Sequence, residues 1–269
     1  MTVSEHAPLR WFDSHCHWDF SSLDSERETQ WLLAQRLGVC GYLIPGISRE
    51  QGQRQLDHDA TKQHGIALGL HPYFLAQHRP SDLAWLHEQC QRHDLVALGE
   101  FGLDWVLATT SEQQRQQWDW FEQQLDIAET HQLPIILHVR KAHDQVAAAL
   151  RRRQFAYGGV VHAFSGSVQQ GKAYLDLGMT LGIGGAMSHP RAHKLRRTVA
   201  ALPNHAWLLE TDSPDMTPAF WQGPRNSLAT IPLLAAILAS LQQQSLAAVA
   251  EQQWSNCARA LPKWYSTLV

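Results

Sequence analysis

Apolar runs rich in β-branched and large side chains recur along the chain, separated by longer polar, glutamine-rich stretches whose apolar positions follow a helical period. Eight runs stand out, at residues 10–18, 40–47, 66–71, 95–103, 133–140, 159–164, 179–185 and 206–212. The stretches 26–37, 50–64, 81–92 and 111–131 read as helices, and two more follow Ala229, at 231–241 and 245–261. Most of the runs are apolar throughout, which is the pattern of strands covered on both faces. Repeated β-α units of that kind form a parallel sheet wrapped in helices. Eight units predict closure into a single α/β domain over residues 1–269, a (β/α)8 TIM-type barrel. An open doubly wound sheet is the alternative, but no G-x-G-x-x-G follows the first run, where a dinucleotide-binding sheet would carry it. No linker, internal repeat or low-complexity tract marks a domain boundary.

Composition agrees with a large packed core: 44% of the 269 residues are hydrophobic and 17% charged, which excludes a disordered chain. Cys16, Cys40, Cys90 and Cys257 have neither C-x-x-C spacing nor the density of a disulfide scaffold. No run approaches the roughly 20 apolar residues of a membrane span, and Met1 to Arg10 lacks a secretory pattern. The expectation is a cytoplasmic protein with no membrane association and no obligate protein partner. The net charge of -3 provides no global basic field, so a polyanionic substrate has to be met by local charge. Of the 16 histidines, His58, His64, His87 and His93 fall in exposed-looking helical stretches and read as solvated.

A barrel builds its active site at the C-terminal ends of its strands. The first run ends in Asp13-Ser14-His15-Cys16-His17, where strand alternation groups His15 and His17 with Asp13 and turns Ser14 and Cys16 away. Two imidazoles so placed suit one metal ion, and Cys16 is left out as a nucleophile. Glu100 and Asp104 lie at the end of the fourth run, His138 and Arg140 at that of the fifth, His162 of the sixth, and Glu210 and Asp212 of the eighth. Any one of these is a common polar group at a barrel mouth. Together they offer nitrogen and oxygen donors at five strand ends, a donor set for divalent metal.

With these residues laid out, the sequence resembles the TatD family of metal-dependent deoxyribonucleases, and a bacterial branch of it, over nearly the whole chain. The motifs are Phe12-Asp13-Ser14-His15-Cys16-His17, Gly69-Leu70-His71-Pro72, Gly99-Glu100-Phe101-Gly102-Leu103-Asp104, Pro134 to Arg140, Gly159 to Gly166, and Leu208 to Pro214. The resemblance implies a metallo-dependent hydrolase with two divalent ions. His15, His17 and Asp212 would hold one ion, His138 and His162 the other, and Glu100 would bridge. It also implies cleavage of DNA phosphodiesters, as a deoxyribonuclease acting on single strands or ends in the manner of an exonuclease. The family's metals are magnesium or manganese, while nitrogen-rich ligation suits zinc or nickel as well. One departure is the segment Pro224-Arg225-Asn226-Ser227-Leu228, which lacks the proline that follows the asparagine in many relatives. Another is Leu261-Pro262, where relatives carry Leu-Phe.

Asp212 and Glu100 are the catalytic candidates, Asp212 as the group that takes the proton of the attacking water. His71, Arg140 and Trp105 are candidate substrate contacts, Arg140 because a guanidinium grips phosphate oxygens bidentately. Asp104 is expected to orient a ligand rather than bind metal. Trp18, Phe74 and Phe164 follow motif residues, so one or two of these three and Trp105 are expected to face a substrate base. The run Arg151-Arg152-Arg153 reads as a solvated helix end. The rival activity is hydrolysis of a non-nucleic ester, lactone or amide, and the rival without catalysis is a scaffold stabilised by metal.

Overall fold

Eight parallel strands form one sheet in sequence order: β1 (Trp11–Asp13), β2 (Val39–Pro45), β3 (His64–Leu68), β4 (Ala97–Asp104), β5 (Ile135–Arg140), β6 (Gly159–His162), β7 (Met179–Ile183) and β8 (Trp207–Leu209). The computed structural model describes residues 8–58 and 64–269. Helices α1 (Arg27–Arg36), α2 (Arg49–His58), α3 (Pro80–Arg92), α4 (Ser111–His131), α5 (His143–Arg153), α6 (Val168–Leu175), α7 (His193–Ala201), α8 (Ile231–Gln242), α9 (Leu246–Ala260) and α10 (Pro262–Leu268) surround it. The ends of β8 and β1 meet through Ser14 N to Leu209 O at 3.1 Å and Asp212 N to His15 O at 2.9 Å, which completes a (β/α)8 barrel.

Residues Phe12, Leu43, Ala67, Ala97, Ile136, Val160 and Leu208, one from each of seven strands, share one buried cluster with Trp264 and Leu268 of α10. The tryptophan thus seals the barrel floor, meeting Phe12 edge-on at 5.1 Å. Alternate residues, among them Trp11, Leu98, Phe101, Leu137 and Val161, belong to the larger core between sheet and helices. With the floor packed by apolar side chains, polar chemistry is confined to the opposite mouth, at the C-terminal strand ends.

All eight runs became strands with shifted ends, β1 stopping at Asp13 and β8 at Leu209 but β4 reaching Asp104 and β5 Arg140, and α4 spans the expected residues. The stretch 50–64 differs, because α2 ends at His58 and His64 opens β3, its ring stacked on Tyr42 at 5.5 Å. Residues 59–63, inside that expected helix, and 1–7, inside the stretch read as lacking a secretory pattern, lie outside the described residues, as does the His58 side chain. His87 is half-buried, its Nδ1 3.1 Å from His131 Nε2, whereas His93 is exposed. The arginine run is not simply solvated either. Arg153 lies 2.6 Å from Glu122 and 2.9 Å from Glu129 and also pairs with Asp126, while Arg152 pairs with Glu122, so both tie α5 to α4. No single helix among the described residues is long and apolar enough to cross a membrane.

Candidate metal centre

The inward residues continue up the barrel into a cluster of imidazoles and carboxylates. In β5 and β6 plain alternation carries them there, Ile136 to His138 and Arg140 and Val160 to His162, and past β8 it carries Leu208 to Glu210, while Asp212 enters the cluster from a left-handed φ of +58°. In β4 it does not. Ala97 faces the interior and Leu98 the helices, yet Glu100 faces inward, because the pairing with β5 shifts register between Leu98 and Phe101. Gly99 permits the shift, since its φ is +142° and a Cβ there would sit 2.4 Å from Ile136 O.

The start of the chain departs from alternation too. β1 ends at Asp13, and beyond it His15 and His17 reach the cluster while Asp13 does not. Its carboxylate accepts from His15 N at 3.1 Å and Thr211 N at 3.0 Å, and also from the Thr211 hydroxyl, so Asp13 staples the β1 end to the β8 end. Burial pushes its carboxyl up to about 8, against those hydrogen bonds. Cys16 is buried with its thiol against Leu43 O at 3.6 Å, and burial lifts its pKa well above the ordinary thiol value, leaving it inert.

Glu100 sits at the centre of the cluster. Its Oε2 lies 3.2 Å from His15 Nε2 and 3.5 Å from His17 Nε2. Its Oε1 faces the other group, at 3.3 Å from His71 Nε2, 3.2 Å from His138 Nδ1 and 3.9 Å from His162 Nε2. Asp212 Oδ1 is 3.6, 3.5 and 3.7 Å from His15, His17 and His162. All six residues of the predicted donor set are therefore together, and His71 joins them.

Outer partners hold the donors in place. Asp104 Oδ2 is 2.9 Å from His138 Nε2, while its Oδ1 accepts from Val106 N and Leu107 N, as expected of an orienting carboxylate. Glu210, which the sequence reading noted without assigning it a role, stands 3.0 Å from His162 Nδ1 and accepts from Ala163 N at 2.7 Å. It needs Gly182, where a Cβ would lie 2.1 Å from its Oε2.

The field of the cluster selects positive charge. Burial lowers the pKa of His162, but Glu210, Asp212 and Glu100 outweigh it and push the imidazole up to about 10. Burial would raise Glu100, yet the surrounding His71, His15 and His162 hold it well below the carboxylate range. In His71 burial prevails and the pKa falls to about 4, which leaves a neutral ring whose Nδ1 accepts from Tyr73 N at 3.0 Å. Both ring nitrogens of fully buried His15 and Nδ1 of His17 lack hydrogen-bond partners. Orphan polar atoms of this kind cost about 1–3 kcal/mol each. Imidazole and carboxylate donors pointed at one another, with ring nitrogens unsatisfied, fit divalent cations.

The centre opens into a cavity of about 660 Å³. Its rim carries Phe20, Ile47, Tyr73, Phe74, Ala186 and Met216, with Arg140 and Asp215 as its charged side chains outside the donor cluster. Arg140 is half exposed and 3.4 Å from Asp104 Oδ2, so it lines the cavity while paired. Of the four aromatic candidates only Phe74 lines the cavity. Trp18 and Phe164 are buried at 2%, and Trp105 packs against the core with its indole N–H buried and unpartnered. Phe20, Tyr73 and Asp215 escaped notice because nothing in their spacing marks them.

Asn226 is the clamp of the segment that carries Asp212. Its Nδ2 donates to Thr211 O at 2.7 Å and Met216 O at 3.4 Å, and its N–H donates to Pro214 O at 2.9 Å. The segment forms these bonds with serine, not proline, at position 227. Asn226→Ala is expected to cost about 1–3 kcal/mol by orphaning buried carbonyls and to weaken metal binding. Chemical denaturation and a metal titration of the variant check both effects, and unchanged values in both would show that the clamp is dispensable.

An eight-stranded barrel with this donor set at its C-terminal mouth has the architecture of a metal-dependent hydrolase. The chain belongs to the TatD-related DNase family, whose model matches residues 12–262. It is 36% identical over 250 residues to the uncharacterized metal-dependent hydrolase YjjV of Escherichia coli K12, covering 92% of this chain and 96% of that one. The crystal structure of that TatD homologue superimposes with a TM-score of 0.87 at 35% identity, over 94% of this chain and 98% of the other. The 3'-5' ssDNA/RNA exonuclease TatD of Pantoea ananatis is 31% identical over 211 residues, covering 77% of this chain and 80% of that protein.

Proposed function

We propose that this hydrolase cleaves phosphodiester bonds at the ends of single-stranded DNA, with two divalent ions held by His15, His17, Asp212, His138, His162 and Glu100. The observation that carries the two-ion reading is the division of Glu100: Oε2 faces His15 and His17, and Oε1 faces His138 and His162. The donor chemistry suits magnesium, manganese, zinc or nickel. Held by these residues, such ions would supply Lewis acidity that eases deprotonation of water near neutral pH and offsets phosphoryl charge.

The side chains supply the rest. Asp212, 14% exposed at the cavity floor, takes the proton of the attacking water on its carboxylate. Asp104 and Glu210 hold the rings of His138 and His162, so neither has to be ordered during reaction. Arg140 grips a phosphate oxygen, steadied by Asp104. His71 presents a neutral ring beside Glu100. Phe20, Tyr73 and Phe74 offer faces on which bases stack, and Trp105 has no place in that rim. The exonuclease name of the Pantoea relative supports the choice of substrate.

A single strand labelled at one end is expected to shorten progressively, to survive intact under chelation, and to be cut again when manganese or magnesium is restored. If strands stay intact while an ester, lactone or amide turns over at the same metal loading, the nuclease reading is wrong. If nothing turns over across such a panel, the chain is a metal-stabilised scaffold.

A further inference from the structure

We propose that Asp215 determines which substrate end the cavity admits, accepting a hydrogen bond from an uncharged donor group next to the scissile phosphodiester and turning away a second phosphate at that place. The proposal rests on the nuclease reading above and deepens it.

Asp215 lines the cavity beside Asp212, and its carboxylate has no hydrogen bond or ion pair among the described residues. Its side chain is exposed, but the backbone beneath it is tethered. Asp215 N donates to Asp212 O at 2.9 Å, and Asn226 holds the carbonyls of Thr211, Pro214 and Met216 on either side. Ser213 Oγ donates to Asn226 O at 2.8 Å, and Met216 O packs so closely on Gly185 that a Cβ there would lie 2.3 Å away. The backbone that carries the carboxylate is fixed on both flanks.

The charges of the mouth make this position unusual. Outside the donor cluster the cavity has one cation, Arg140, already paired with Asp104, and one anion, Asp215, without a partner. Phe20, Ile47, Phe74 and Met216 complete the rim, and Asp215 is exposed within it. Two like charges about 6 Å apart near a protein surface repel enough to weaken binding by about tenfold. A polyanion therefore binds here with something other than phosphate against Asp215. The group that gains is a neutral hydrogen-bond donor, and a nucleotide chain end offers two sources: the terminal sugar hydroxyl and an exocyclic base amine.

The test uses the metal-loaded full chain and single strands identical except at one terminal nucleotide. That nucleotide ends in a hydroxyl, in a phosphate or in hydrogen, and its base is thymine, which has no exocyclic amine, or adenine. The native chain is expected to cut hydroxyl-ended strands about tenfold faster than phosphate-ended ones, and Asp215→Ala to narrow that ratio below about threefold. Asp215→Asn, uncharged but still an acceptor, should lift the phosphate penalty while keeping the preference for a hydroxyl over hydrogen. A preference that follows adenine over thymine instead identifies the amine as the donor and supports the same chemistry. An unchanged hydroxyl-to-phosphate ratio in Asp215→Ala overturns the proposal, as does native preference for phosphate ends. Loss of bound metal in Asp215→Ala overturns it as well, by making the residue a ligand. If the native chain cuts no strand at all, the nuclease reading falls and takes this one with it, whereas a working nuclease indifferent to Asp215 refutes this inference alone.

Discussion

Glu100→Ala is expected to empty the centre and abolish hydrolysis. The carboxylate approaches five imidazoles within 3.9 Å, whereas Asp212 approaches three, His15, His17 and His162. Without it, His15 and His17 lose their link to His138, and ions bound as proposed would lack their shared carboxylate. Loss of an outer partner costs about 10–100-fold in metal affinity, so loss of the shared inner donor is expected to cost more. Elemental analysis after loading with excess manganese should give about two ions per native chain and fewer than one in the variant. Thermal unfolding gives a readout independent of turnover, because metal stabilises whatever it binds in the folded state. The native melting temperature should rise with added metal and that of the variant should not. Unchanged two-ion content in Glu100→Ala would mean that Glu100 does not bridge.

Asp212→Asn is expected to separate binding from chemistry. The amide keeps an oxygen in the place that faces His15, His17 and His162 at 3.5 to 3.7 Å, so much of the metal should be retained. It can no longer take a proton. General-base assistance is typically worth about 10²–10⁴ in rate, and the turnover number should fall in that range while metal content changes far less. Measuring the rate at saturating metal removes any modest loss of affinity from the comparison. Full activity in Asp212→Asn would give the proton to another group. A collapse of metal content equal to that of Glu100→Ala would make Asp212 a ligand with no separable role in the chemistry.

Much of this site could be read from the chain because a strand repeats every two residues wherever its pairing is regular. His138 with Arg140, His162 and Glu210 lie two or four residues beyond interior apolar positions, so alternation alone points them inward. The barrel was legible for a related reason: strands buried on both faces have to be apolar throughout, and eight such runs separated by amphipathic stretches leave few other folds. Those features are local, and the sequence determined them. What alternation could not supply is the facing of Glu100, His15 and His17. Glu100 turns inward because β4 slips register against β5 where Gly99 lets Ile136 O approach, and the two histidines lie past the end of β1, where Thr211 holds Asp13 aside. Alternation paired His15 with His17 but wrongly grouped Asp13 with them, and the roles of these residues came from the family resemblance. The clamp of Asn226 on the segment from Thr211 to Met216, the seat of Glu210 against Gly182, the burial of Trp105 and the unpaired carboxylate of Asp215 likewise depend on which strands and loops come to lie side by side. Contacts between residues far apart in the chain decide these, and the pattern of any one segment does not encode its neighbour, so only the tertiary structure could settle them.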